Sequence, residues 1–400
     1  MPKPTLLLWR LLFTIWFATV SSFTQSQTTR YIIEEVDPRT VTYTTYGGDS
    51  LDRAMSILPL DDKSDLVIGL NFETGSGDPT ISKVKKKDLS VEWTKTIKLK
   101  GYDFLYSGAP TRDGNYVASG FTNSSGAGSL DCWIVKFNSY GDTLWTRTFG
   151  GPKDERGYEV TTTSDGGYVV AATTTSWGNG DIDALIIKLN VSGDIVWHKV
   201  IGEKLLDRTY SIVEVENGDL IISGITNENY PGNSDILLYR LTKDGDEVWR
   251  KVMGGPNGEI AHCLLKQRDN SLIIIGYSAE SRDSLSNPLI MHLTTSGDVI
   301  EKFELEPQDG IDIKLIDGYL DDRGNVIGTG FMRTSLKAPF DIVLFKLEFG
   351  KKKLSIKRFP LSFQAEEAYG SAVLAKGNAL IVGHSMANRK GDMVFIKWRH

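Results

Sequence analysis

The chain has 400 residues, 40% of them hydrophobic and 24% charged, with a formal net charge of −6. That balance belongs to a folded, soluble protein and excludes a largely disordered one. With 45 basic against 51 acidic residues, and neither a basic stripe nor a recurring aromatic-plus-arginine pattern, nucleic acid is not an expected partner.

In chain order, Lys3 and Arg10 precede an apolar run over 11–20, followed by small and polar residues. This is the layout of a secretory signal over residues 1–26, with cleavage after Ser22 or Ser26. The run is short for a bilayer span, so a retained anchor is the lesser alternative, and no later stretch is apolar enough to cross a membrane. The expected location is therefore secreted or cell envelope. Asn123 and Asn190 each open an Asn-x-Ser sequon.

From residue 31 to 400 the sequence repeats. Trp93, Trp145, Trp197 and Trp249 stand 52 residues apart, and seven Asp-x4-Lys pairs or variants recur: Asp78/Lys83, Asp131/Lys136, Asp183/Lys188, Asp235/Arg240, Asn287/His292, Asp341/Lys346 and Asp392/Lys397. The unit is clearest at residues 157–202, where "YEVTTTSDGG", "YVVAATTT", "DALIIKLN" and "GDIVWHKVIG" read as four strands separated by turn residues. A period near 50 residues with four strands per unit predicts one all-β domain, a seven-bladed β-propeller of four-stranded blades. The third strand is apolar on both faces, as a sheet sandwiched between sheets requires. The seventh copy ends at its third strand. "TVTYTTYGG" over 40–48 carries the Gly-Gly that follows a fourth strand in the second copy, so it is predicted to complete the last blade and close the ring. Cys132 and Cys263 fall in distant blades and are read as small buried apolar residues without a disulfide.

The stretch "TSDGGYVVAATTTSWGNGDIDALIIKLNVSGDIVWHKVIG" resembles the repeats of a broad group of secreted, mostly bacterial propellers with kelch-like and quinoprotein-like units. The resemblance spans about 350 residues. It implies an extracellular or cell-surface propeller, and specifies a fold rather than an activity.

Chemistry needs one asymmetric constellation, whereas architecture needs the same solution in every blade. The Asp-x4-Lys pair and the repeated tryptophan are accordingly read as structural. A "GDSL" block at 48–51 matches a serine-esterase signature, but no histidine has an aspartate three positions before it, so Ser50 is not read as a nucleophile. The histidines 198, 262, 292, 384 and 400 show no ligand spacing.

Two candidate sites remain. Asp52, Asp103, Glu155, Asp207, Glu259 and Glu366, with Asp312 close in phase, enter the first strand of each unit, where a ring of carboxylates at the channel mouth would hold a cation or steer a cationic ligand. Arg53, Arg156 and Arg208 follow three of them directly, and the alternative is a belt of ion pairs. The second candidate is the loop between strands two and three of the third and fourth units. Trp177 and Asn179 lie beside Asn229 and Tyr230 there, a pairing of aromatic faces and amides that suits sugar or peptide recognition. The first functional reading is a monomeric, non-enzymatic binding or scaffold propeller for an extracellular glycan, peptide or protein, with no cofactor beyond that cation. The alternatives are a polysaccharide lyase or hydrolase acting at the channel mouth and, from the "G-D-x-x-W" ends of the units, a quinone-dependent dehydrogenase.

Overall fold

Short runs rich in Val, Ile, Thr and aromatics, punctuated by Gly, Asn and Asp turns, leave each segment little choice but strand. A computed structural model describes residues 31–37, 42–47, 52–72, 77–229, 233–280, 284–304, 310–360, 366–374, 378–385 and 392–399. The expected signal segment, Ser50 and Tyr230 lie outside the described residues.

The chain enters through β1 (Tyr31–Glu35) and β2 (Thr42–Tyr46). Blade 1 is β3 (Asp52–Pro59), β4 (Ser64–Asn71), β5 (Asp78–Lys85) and β6 (Val91–Thr96). Blade 2 is β7 (Asp103–Pro110), β8 (Tyr116–Thr122), β9 (Asp131–Phe137) and β10 (Thr143–Phe149). Blade 3 is β11 (Glu155–Thr162), β12 (Tyr168–Thr174), β13 (Asp183–Leu189) and β14 (Ile195–Ile201). Blade 4 is β15 (Asp207–Glu214), β16 (Leu220–Thr226), β17 (Asp235–Leu241) and β18 (Glu247–Met253). Blade 5 is β19 (Gly258–Lys266), β20 (Leu272–Ala279), β21 (Ser286–Leu293) and β22 (Val299–Glu304). Blade 6 is β23 (Asp312–Leu320), β24 (Val326–Arg333), β25 (Asp341–Glu348) and β26 (Lys353–Phe359), and blade 7 holds β27 (Glu366–Leu374), β28 (Asn378–Ser385) and β29 (Asp392–Arg399).

The first strand of every blade is innermost and touches the first strands of both neighbours, with β27 against β3 closing the circle. The protein is a seven-bladed β-propeller. Closure occurs as the sequence predicts: β2 pairs antiparallel with β29, Thr44 opposite Phe395. One strand was not foreseen. β1 adds parallel to β26, Ile33 opposite Ile356, and makes blade 6 five-stranded.

The core is divided among the seven blade interfaces, each with its own apolar cluster. Between blades 2 and 3, for example, Val117, Cys132 and Ile134 meet Val160, Tyr168, Leu185 and Ile187. The second and third strands are the most buried elements; all seven residues of β8, β9, β12 and β13 are buried, consistent with sheets covered on both faces. Both cysteines are buried and free. No helix among the described residues is long and apolar enough to cross a membrane.

The repeated motifs hold this frame. Asp131 and Asp183 accept hydrogen bonds from turn amides at Gly128 and Gly180, 3.1 and 3.0 Å. The lysine at the far end of the third strand returns to the turn between strands one and two of its own blade: Lys136 to Asp113 at 2.6 Å, Lys188 to Asp165 at 2.9 Å, with Arg240 to Asp219 at 2.8 Å in the variant copy. Lys136 also donates to the Tyr168 hydroxyl of the next blade at 2.9 Å. These pairs bind turns and blades together.

Candidate functional site

Every inner strand carries one β-bulge at the same register, at Met55, Tyr106, Tyr158, Tyr210, His262, Ile316 and Tyr369. A bulge inserts one unpaired residue and re-aims the side chains around it. In blades 1 to 6 two successive residues therefore face the lumen, and a cavity of about 320 Å³ is lined by Tyr106, Tyr158, Glu159, Tyr210, Ser211, His262, Cys263 and Asp317 among others.

The bulged residues form an aromatic arc. Tyr106 to Tyr158 is 5.3 Å between ring centroids, Tyr158 to Tyr210 5.7 Å, Tyr210 to His262 5.0 Å, and His262 to Tyr277 of the adjacent strand 5.6 Å. Burial pushes the Tyr277 phenol up to about 12 and the Tyr106 phenol well above its ordinary range, so both are neutral hydrogen-bonding groups. Burial, assisted by the Lys314 charge, lowers His262 to about 4, so its imidazole is neutral as well.

One residue beyond the arc, Glu159 and Ser211 serve the neighbouring blade. The Glu159 carboxylate accepts from the amide of Ile212 at 2.8 Å, and the Ser211 hydroxyl accepts from the amide of Leu264 at 3.0 Å. Each amide lies just past a bulge, where the strand ladder is interrupted, so the interaction satisfies a main-chain donor. Half-buried in the lumen, Glu159 is raised to about 7, chiefly by desolvation, against the hydrogen bonds from Ser211 and Ile212. Cys263 is raised well above its ordinary value by burial and faces Asp317 and Glu159, which makes it an unreactive thiol.

Two residues before the bulge, the same register holds Arg53, Arg156, Arg208 and Lys314. Above the arc, between blades 4 and 5, a second cavity of about 560 Å³ is lined by Arg208, Tyr210, Asn227, Asn233, Ser234, Tyr277, Ser286 and Lys314. It opens on the face that carries the loops between strands two and three.

The carboxylates expected at this mouth turn the other way. Asp52, Asp103, Glu155, Asp207, Glu259 and Asp312 are all at most 7% exposed. Glu155 accepts from the Gly151 amide and the Thr174 hydroxyl at 2.7 and 2.6 Å, and Asp103 from the hydroxyls of Thr122 and Ser124. Asp207 accepts from the Glu203 amide, Glu259 from that of Gly255, and Asp312 from Ser286 and Arg333. Glu366 opens β27 in the corresponding place. No group of three or more metal-competent side chains exists among the described residues. The alternative ion-pair belt is absent too: successive strand residues point to opposite faces, and of the three arginines only Arg156 has a carboxylate partner, Asp154 at 3.5 Å, among the described residues.

The loop candidates are partly committed. Trp177 packs on Phe149 and His198, with centroids at 5.5 and 6.2 Å, and retains 36% exposure. Asn179 is exposed beside Asp183, while the Asn229 amide donates to Asp235 at 3.0 Å. The structure thus brings together residues that were not singled out. A signal for them existed, because Tyr106, Tyr158, Tyr210 and His262 share the 52-residue spacing of the tryptophans.

No protein-family model matches the chain, and no curated protein matches its sequence. Solved structures do share its shape. A polysaccharide lyase of family PL25, an ulvan lyase bound to a glucuronate–sulfated rhamnose oligosaccharide, superposes with a TM-score of 0.55 at 9% identity, over 89% of this chain and 94% of the lyase. Puromycin hydrolase gives 0.52 at 13% identity over 83% of this chain; the match covers 50% of the hydrolase. The Pan2 WD40 domain of Neurospora crassa gives 0.50 at 10% identity, over 91% and 97% of the two chains. At these identities the likeness establishes the propeller fold alone.

Proposed function

We propose that the protein is a non-enzymatic, glycan-binding propeller that works outside the cytoplasm, and that its ligand seats at the channel mouth over the aromatic arc. The observation that carries this reading is the run of five rings, Tyr106, Tyr158, Tyr210, His262 and Tyr277, at centroid steps of 5.0–5.7 Å, of which Tyr210 and Tyr277 line a cavity of about 560 Å³. Sugar rings stack their C–H faces on aromatic side chains, and Asn227, Asn233, Ser234 and Ser286 supply the few directional contacts that fix orientation, with Asn233 set by its hydrogen bond to the Pro256 carbonyl at 2.7 Å and Ser234 by its bond to Asn227 at 2.9 Å. Glu159, the acid nearest the arc, is occupied in satisfying a backbone amide, which favours binding over turnover. The extracellular location rests on the charge and apolar pattern of residues 1–26.

An oligosaccharide array read by calorimetry tests this. Tyr210→Ala should weaken a hit by about 1–3 kcal/mol. Loss of binding in Trp177→Ala with none in Tyr210→Ala would transfer the site to the outer loops.

One observation favours the enzymatic alternative, a lyase or hydrolase at the same mouth: the imidazole of His262 and the phenol of Tyr210 stand side by side in the lumen, ring centroids 5.0 Å apart. A new reducing end or an unsaturated, ultraviolet-absorbing product from any bound glycan would establish turnover.

A further inference from the structure

The aromatic arc explains stacking but not the cations that stand over it. Arg53, Arg156, Arg208 and Lys314 occupy one register on four inner strands. The Nε atoms of Arg53 and Arg208 are buried and have no hydrogen-bond partner. Lys314 has no ion pair among the described residues and lies over the Tyr277, Phe331 and Phe340 rings at 5.2, 5.9 and 5.8 Å. Arg156 lies over Phe121 at 5.4 Å, and Arg208 shares a hydrogen bond with Tyr210. A buried guanidinium nitrogen without a partner is costly, and among the described residues only Arg156 of these four cations has a carboxylate beside it, Asp154 at 3.5 Å. The acids that face the lumen, Glu159 and Asp317, lie past the bulge, on the far side of the arc, and Asp312 is held by Arg333 at 2.7 Å.

We propose that the ligand supplies the missing charge: the channel mouth recognises a glycan bearing oxyanion groups, carboxylate or sulfate, with Arg208 and Lys314 as the specificity-determining contacts and Arg53 and Arg156 extending the collar. This rests on the glycan reading above and names its chemical class. Arginine presents a planar fork of donors matched to a carboxylate or sulfate edge, and the ring beneath takes the sugar face. Four cations on the inner strands of blades 1, 3, 4 and 6, above the aromatic arc, suit a chain whose charges recur along its length. The collar is local, since the whole protein carries a formal net charge of −6, and converging walls concentrate its field at the mouth.

The experiment compares four probes by calorimetry at low and physiological salt: a uronate oligosaccharide, a sulfated but carboxylate-free one, a neutral one of equal length, and polyaspartate. Wild type should prefer an anionic glycan over the neutral one by about tenfold or more, with affinity falling as salt rises. Arg208→Gln with Lys314→Gln should erase both the preference and most of the salt dependence, while Arg208→Lys with Lys314→Arg, which keeps the charges, should restore much of the salt dependence. An unchanged melting temperature shows that the neutral variants fold. Which of the two anionic glycans binds tighter assigns the oxyanion. Equal affinity for the neutral glycan, or a preference that survives the neutral double variant, overturns the anionic inference and leaves the glycan reading standing. Binding of polyaspartate with no glycan bound at all sinks the glycan reading, and failure of every probe sinks both.

Discussion

Gly193 sits in the turn between the third and fourth strands of blade 3 at φ +82°, and the indole of Trp145 from blade 2 lies flat against it. The same contact recurs as Gly141 on Trp93, Gly245 on Trp197 and Gly297 on Trp249, each glycine at positive φ. A Cβ at Gly193 would stand 2.8 Å from Cζ2 of Trp145, in a backbone region that side chains disfavour. Gly193→Ala should therefore destabilise by about 2–3 kcal/mol in chemical denaturation, through strain and a lost inter-blade contact together. Glu159 gives a pH-dependent test. Its carboxyl titrates near 4.5 when unfolded and at about 7 when folded, so between those values the folded state binds more protons and stability falls as pH rises. Below about pH 4.5 both states are protonated and the effect vanishes. Glu159→Gln keeps an acceptor for the Ile212 amide. It should match wild type in acid and exceed it by about 1–3 kcal/mol near pH 8, as urea titrations at the two pH values would read. At this scale the structural motifs were legible from spacing alone: a residue recurring in every blade was assigned to architecture, and the Asp-x4-Lys geometry agrees. The same argument hid the site. Tyr106, Tyr158 and Tyr210 recur at the same spacing yet face the lumen, because a bulge rather than the regular alternation decides where they point.

The two N-terminal strands differ in what the sequence disclosed. β2 was recoverable because residues 40–48 carry the register marks of a fourth strand. β1 was not: five residues, "YIIEE", have no counterpart elsewhere in the repeat, and their partner β26 lies more than 300 residues away in the chain. The attachment of β1 is visible only in three dimensions, with Glu34 near Lys357 at 3.3 Å and Glu35 near Arg358 at 3.5 Å. These ion pairs are exposed and contribute little each. A chain beginning at Pro38 also loses the ladder to β26 and the packing of Ile33 and Val36, so it should keep its cooperative unfolding but lose about 2–4 kcal/mol, measured by urea titration. Unfolding in separate phases for that chain would make β1 an essential part of the closure.

For the molecule as a whole, seven interface clusters in a circle mean that each blade is stabilised by two neighbours, and none by a centre common to all. An open array of such units behaves as a nearly one-dimensional chain that frays from its ends. Pairing of β2 with β29 removes the free edge of blade 7. A chain beginning at Gly47, lacking both N-terminal strands, should lose cooperativity and expose blade 7 to protease first; a single sharp transition at the wild-type midpoint would rule out β2 as the clasp. The fold was thus readable because it is periodic, whereas the mouth between blades 4 and 5 was not, since Arg208, Asn233, Tyr277 and Lys314 come from separate strands whose register no local pattern reveals.

The bulge on every inner strand has a consequence for descent. In blades 1 to 6 it places two adjacent residues in the lumen while the buried faces on either side remain committed to neighbouring sheets. After duplication, copies can diverge at the bulged position itself with little effect on the interfaces, whereas the next position is partly tied to the neighbouring blade, as Glu159 and Ser211 show. The record is already present: Met55, Tyr106, Tyr158, Tyr210, His262 and Ile316 occupy one position, and Ser56, Ser107, Glu159, Ser211, Cys263 and Asp317 the next. Selection acting on a new ligand would therefore find its variation concentrated in a few pairs of codons, spaced as regularly as the blades themselves.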